Sequence, residues 1–316
     1  MKRLNDIDVA KGTGILMVMG LHCGFHQTWM ATFEMPLFFI LSGCFFNPYS
    51  CRFKLFVIKK INTLLIPYIF FEAPKLLYDL WFWLCHENKT LLECYIDSSF
   101  PTTTWFILCL FEIQILCYFI IKLLKSKFLI LLTGFALSMI GYELWQFRVY
   151  NFFFLCTAAT CSFYFILGYI CKDILKQNKR NARIVSCLIG IFSLAGCYLL
   201  WTINRPDIFY RGNMMTDNWI IIVLMALFGS GGIILISQAI AHSKILEFFG
   251  INSLIILGTH LYFFLIFRIL NIHLLPIIIF TLGVIIEIPI IYLLRRYFPR
   301  LCGIEPLIKY AHSYSQ

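Results

Sequence analysis

The chain has 316 residues, 60% of them hydrophobic and 13% charged, with a formal net charge of +10 and a mean hydropathy of +0.83. A soluble domain of this length carries about a quarter charged residues, so that class is excluded. Apolar runs of about 20 residues recur instead, the length that spans a hydrocarbon core at the helical rise.

Helices are predicted over 9–28, 30–47, 61–84, 104–123, 127–145, 152–172, 183–202, 218–240, 249–270 and 274–294. The fold class is therefore all-α, a polytopic membrane protein with about ten transmembrane helices. Of the 26 Lys and Arg residues, 19 fall at the two termini and in every second connection or the helix ends beside it, against 5 in the intervening connections or the helix ends beside them. That asymmetry puts both termini in the cytoplasm. The surplus charge is an orientation signal and a contact for anionic membrane lipids, with no nucleic-acid partner. The longest connections, 86–103 and 203–217, are too short for a soluble domain, so residues 1–316 form a single transmembrane domain.

Lys2 and Arg3 resemble the start of a signal peptide, but Lys11 and His22 interrupt the following apolar run, and no small-residue cleavage pattern follows. Lys11 and His22 are eleven positions apart, almost three helical turns, so they share a face roughly 16 Å apart along the axis. An ionisable residue in a membrane helix is costly and marks function unless a structural partner satisfies it. His22 reads either as a histidine bonded to a neighbouring helix or as a general base. His26 lies one turn further out, either interfacial or facing substrate. Lys11 with Asp8 reads as a snorkelling pair or as a cationic seat for phosphate. Cys23 beside His22 and His26 lacks a fourth ligand, so no metal is expected. Most of the thirteen cysteines lie in apolar helices, as free thiols do.

Glu34 opens the second helix, where the dipole favours an acid; the short outer turn also allows it to orient His22 or His26. Pro36 sits in the same first turn. Pro67 and Pro74 are expected to interrupt the third helix, and Glu72 reads as an ion-pair partner of Lys75. Trp105 and Phe106 start the fourth helix as an interfacial aromatic pair or a sugar platform. Glu112 and Gln114 read as interhelical hydrogen-bonding groups. Gly229, Gly231 and Gly232 are expected to loosen the eighth helix. His260 in the ninth lies at a depth comparable with His22 and is a second candidate histidine; Glu287 in the tenth has no evident role.

The stretches IDVAKGTGILMVMGLH (7–22), FEMPLFFILSGCFF (33–46), KKINTLLIPY (59–68), TWFILCLF (104–111) and FGINSLIILGTH (249–260) resemble the acyltransferase 3 family, especially its fucose 4-O-acetylase-like bacterial branch. The basic residue, ten intervening positions and histidine are its most specific signature. The resemblance implies that His22 is catalytic, that Lys11 is the essential basic position, and that acetyl moves from acetyl-CoA to a hydroxyl of a surface glycan or its lipid-linked precursor. It also implies a multi-pass protein of the cell (inner) membrane. The chain departs from the branch at Glu34, where a histidine is usual, and at Asn62 and Thr63, where an arginine is usual.

Together these readings give acetyl-CoA on the cytoplasmic side, its phosphates drawn to Lys11, Lys59 and Lys60, and its thioester directed towards His22, with no permanently bound cofactor. His26, Trp105 and Phe106 are the candidate acceptor contacts, and Glu34 and His260 the further candidates for the chemistry. The rival reading is a transporter or flippase for a glycan or lipid-linked precursor, which the absence of an inverted repeat weakens.

Overall fold

A computed structural model describes residues 5–24, 28–85, 90, 93, 104–175, 182–270 and 274–310. The helices are α1 (Asn5–His22), α2 (Glu34–Cys44), α3 (Phe53–Lys60), α4 (Ile66–Cys85), α5 (Trp105–Leu123), α6 (Lys127–Gln146), α7 (Leu155–Ile170), α8 (Arg183–Asn204), α9 (Trp219–Ile240), α10 (Lys244–Ile251), α11 (Ser253–Ile269) and α12 (Pro276–Tyr297). Each expected span coincides with a helical segment. Among the described residues, six helices are long and apolar enough to cross a membrane, or seven if the bent pair Lys244–Ile251 and Ser253–Phe267 counts as one span. α1 is barred from that set by composition, because Asp6, Asp8 and Lys11 share its 18 residues.

The boundaries differ where local stereochemistry intervenes. α1 begins at Asn5 rather than 9 and stops at His22 rather than 28, because Gly24 adopts φ +91°. A left-handed glycine just past the last turn is a common helix terminator. His22 therefore sits at the helix end and not within it. The expected second helix divides into a 3₁₀ turn, Met30–Thr32, and α2. The expected third starts early, as α3, and passes through a π turn at Ile61–Leu65 into α4. Pro67 follows closely on the π turn, and Pro74 lies inside α4 without breaking it. The Tyr262 hydroxyl donates to the Phe71 carbonyl in the turn before Pro74.

The chain forms two compact units. The first comprises Met1–Arg52 and Cys109–Ser253, the second Phe53–Leu108 and Leu254–Gln316. In the first unit, helices cross where small residues remove side-chain bulk, as membrane helices do when no hydrophobic drive holds them together. A Cβ on Gly12 would fall 1.9 Å from the Leu246 carbonyl oxygen, and one on Gly250 1.8 Å from that of Asp8, which clamps α1 to α10. Gly43 and Gly168 do the same for α2 and α7, each 1.9 Å from a backbone oxygen. The eighth predicted helix is not loosened by its glycines. It runs unbroken as α9, with Gly229 taking the Phe33 ring and Gly232 meeting Gly190 of α8. The flanks of α8 instead expose Ile184, Val185, Leu188, Ile189 and Phe192, a run of apolar surface that only lipid or another membrane protein could cover.

An antiparallel pair, β1 (Ile208–Phe209) and β2 (Met214–Met215), joins α8 to α9 around a 3₁₀ turn at Tyr210–Gly212. The pair is stitched down by polar side chains: Thr157 donates to the Tyr210 carbonyl at 2.9 Å, and Asn213 to the Gly141 carbonyl at 2.7 Å. In the second unit, Asn62 is fully used. Its amide donates to the Ile58 and Ile308 carbonyls at 3.0 Å, and its oxygen accepts from the Leu307 and Ile308 N–H groups at 2.8 Å. The π turn thereby anchors the segment that follows α12.

Candidate active site

In the first unit α1 is an uninterrupted helix from Asn5 to His22, so Lys11 and His22 keep the common face their spacing predicts. Lys11 is half-buried, and its Nζ lies 5.2 Å from the centre of the Phe45 ring. Asp8, one turn earlier, is buried. His22 is exposed at the end of α1. His26 lies outside the described residues.

Glu34 opens α2 at the same end of this unit as His22. Its Oε2 is buried and has no hydrogen-bond partner among the described residues. Around it, the turn and loop elements bring together groups far apart in sequence. Tyr210 of the hairpin is buried, and its hydroxyl donates to the Thr32 carbonyl at 3.0 Å, two residues before Glu34. It also stands in hydrogen-bonding contact with the Tyr164 hydroxyl. Burial first, then the nearby Tyr164, Cys161 and Glu34, hold the Tyr210 phenol well above the ordinary tyrosine range, so it keeps its proton and remains a donor. Glu112 of α5 also has a buried Oε2 with no hydrogen-bond partner among the described residues, and Cys109, Glu112 and Cys161 are electrostatic neighbours. A carboxylate oxygen without a donor inside a protein is costly and is the kind of group a ligand or water would satisfy.

The second unit holds the other candidates. His260 on α11 is buried, and its Nδ1 lies 2.7 Å from the Ile256 carbonyl oxygen. A ring nitrogen facing a carbonyl oxygen carries a proton. The neighbouring Thr259 donates to both Glu287 oxygens, at 2.8 and 3.0 Å, which supplies Glu287 with a role that its sequence position did not reveal. Glu72 is buried and accepts from Thr104. Lys75 forms a buried salt bridge with Asp79 at 2.5 Å, a partner whose i,i+4 spacing is legible in the chain but was not among the expected pairs. Trp105 is half-buried and Phe106 buried, their rings edge-to-face at 6.1 Å. Lys59 and Lys60 are half-buried, with Nζ atoms 5.9 Å from the Tyr310 ring and 5.5 Å from the Phe56 ring. Among the described residues no three His, Cys, Asp or Glu side chains stand together as a metal site needs, and every described cysteine is free.

Residues 4–296 match the sequence model of the acyltransferase 3 family, described as an acyltransferase domain. The chain belongs to the acyltransferase 3 family. Comparisons with curated proteins and with solved structures return no match. As an acyltransferase 3 protein it is a membrane acyltransferase, and the match takes in α1 through most of α12, with both buried-carboxylate regions and both histidines.

Proposed function

We propose that the protein is an integral membrane O-acyltransferase of the fucose 4-O-acetylase-like branch, moving acetyl from cytoplasmic acetyl-CoA to a hydroxyl of a cell-surface polysaccharide or its lipid-linked precursor. It would act as one transmembrane domain of the cell (inner) membrane, with ten spans and both termini cytoplasmic. The observation that carries this reading is the pairing of Lys11 and His22 on one unbroken helix within the family match, with His22 accessible at the helix end.

In this reading Lys11, with Lys59 and Lys60, attracts the phosphates of acetyl-CoA from the cytoplasm. An imidazole nitrogen of His22 takes the proton of the acceptor hydroxyl as the oxygen forms a bond to the thioester carbonyl carbon. The carbon–sulfur bond then breaks, and the departing thiolate receives that proton and leaves as CoA. The alternative route has two such steps, with His22 carrying the acetyl between them. In this reading Glu34 orients an imidazole, His260 is the second candidate base, and His26, Trp105 and Phe106 are acceptor contacts.

The test is incubation of membranes holding the wild-type chain or His22→Ala with radiolabelled acetyl-CoA and host glycan, followed by measurement of alkali-labile label. Label transferred by wild type and lost in the variant at equal protein level supports the reading. Transfer unchanged in the variant removes His22 as the base. Glycan crossing the vesicle membrane without CoA release would favour a transporter or flippase instead.

A further inference from the structure

At the end of the first unit that carries the hairpin, a cleft of about 840 Å³ opens between the α6–α7 connection and the hairpin turn. Its volume lies near the upper end of the range of about 300–1,000 Å³ typical of ligand sites. Trp145, Tyr150, Phe154 and Phe209 supply aromatic surface to its wall, and Arg148 and Arg211 supply the charge. Neither guanidinium has an ion pair or side-chain hydrogen bond among the described residues. The proposed acyl transfer uses none of these six residues.

The walls are built rather than loosely draped. Asn151 accepts from the N–H groups of Cys156 and Thr157, capping α7, while its amide donates to the Arg211 carbonyl at 3.0 Å. Gln146 donates to the Met215 carbonyl at 3.3 Å, and Tyr142 to that of Asp217 at 3.0 Å. These bonds consume backbone carbonyls and leave the arginine side chains available. Arg148 (φ +54°), Phe153 (φ +48°) and Phe154 (φ +65°) are held in the left-handed region. Non-glycine residues persist there only where surrounding structure imposes it, a condition common at ligand clamps.

We propose that this cleft binds an acidic saccharide segment. Flat aromatic faces match the C–H faces of pyranose rings, and a guanidinium pairs with a carboxylate or sulfate through two parallel hydrogen bonds. Two arginines in an aromatic cleft, with no side-chain partner among the described residues, fit a chain that carries repeated negative charge. A lipid headgroup fits less well, because the lining comes from the hairpin and the α6–α7 connection and not from the helix flanks along which acyl chains run. The cleft is also joined to the buried carboxylate. Tyr210, between the wall residues Phe209 and Arg211, reaches inward to Thr32 and Tyr164 and has Glu34 as an electrostatic neighbour. That the bound segment is the acyl acceptor rests on the acyl-transfer reading; its binding does not.

The full chain in nanodiscs would be titrated with oligogalacturonate, oligosialate and hyaluronan fragments, with maltooligosaccharide of equal length and short-chain phosphatidylglycerol as comparators. Binding would be read by thermophoresis. The expected result is saturable binding of at least one acidic series, weakened by salt and reduced about tenfold or more in Arg211→Gln and in Arg148→Gln. Gel-filtration profiles identical to wild type would show that the variants fold. Failure of all three acidic series, equal binding of the neutral series, unchanged binding in the double Arg148→Gln/Arg211→Gln variant, or binding confined to phosphatidylglycerol would each overturn the proposal. Acetyl transfer assayed beside this titration on the wild-type chain separates the two readings. Acidic-saccharide binding in a protein that transfers no acetyl sinks only the acyl-transfer reading, and acetyl transfer without such binding sinks only this one.

Discussion

The hydroxyl of Tyr210 donates to the carbonyl of Thr32 across 3.0 Å, tying the hairpin between α8 and α9 to the turn that delivers Glu34. The two residues are 178 positions apart. This bond fixes where α2 begins and therefore where the Glu34 carboxyl stands, and both partners are buried.

Tyr210→Phe keeps the ring and removes the donor, which leaves the Thr32 carbonyl without this bond. The expected loss is about 1 kcal/mol of stability, read as a lowered unfolding temperature in detergent. A larger fall is expected in acetyl transfer than in folded protein, because Glu34 loses its positioning contact. Transfer that merely tracks folded protein would show that Tyr210 has only a structural role.

Gly250→Ala forces a Cβ against the Asp8 backbone oxygen at 1.8 Å, while Gly231→Ala meets nothing within 4 Å. Backbone cannot yield as a side chain can, so the first change is expected to cost more than about 2 kcal/mol. The second is expected to stay within about 0.5 kcal/mol of wild type. Paired thermal-aggregation curves of the two variants measure the contrast, and equal midpoints would contradict the α1–α10 contact.

Asn62→Ala removes four hydrogen bonds at once, three of them to Leu307 and Ile308. The segment after α12 is expected to detach, with a cost of about 1–3 kcal/mol for the groups left unsatisfied. Carboxypeptidase trimming of the variant should be faster than that of wild type. The asparagine serves as a tether.

Lys11 and His22 have separable kinetic roles in the proposed reaction. Lys11→Gln is expected to raise the KM for acetyl-CoA about tenfold or more through lost phosphate attraction, with a smaller change in kcat. His22→Ala is expected to lower kcat by about 10²–10⁴ with the KM for acetyl-CoA little altered. Steady-state CoA release in vesicles reads both, and a reversed pattern would exchange the assignments.

A green fluorescent protein fused after Gln316 is expected to fluoresce, and alkaline phosphatase fused there to remain inactive, if the proposed orientation, read from the lysine and arginine bias, holds. Active phosphatase would invert the orientation and move the acetyl-CoA side to the opposite face.

Features set by composition and period were largely legible in the chain. Runs of about 20 apolar residues dictate membrane helices, and each predicted span meets a helical segment. The Lys11–His22 alignment needed nothing beyond the helical repeat. The end of α1 was legible too, in Gly24, but the apolar residues beyond it masked the stop. The prolines and glycines misled for a different reason. Whether Pro74 breaks a helix depends on the segments packed around it, and whether Gly229 loosens one depends on whether a Phe33 ring fills the gap. Both are contacts between segments distant in sequence.

The sequence by itself determined that this is a helical membrane protein and that a lysine and a histidine share one face of its first helix, because those properties are periodic and local. Only the tertiary structure decided that Tyr210 reaches Thr32, that Asn62 holds the C-terminal segment, and that two arginines from separate loops flank one aromatic cleft. Each of those depends on side chains that meet only after helices have packed, and a one-dimensional pattern carries no record of which polar group will satisfy which.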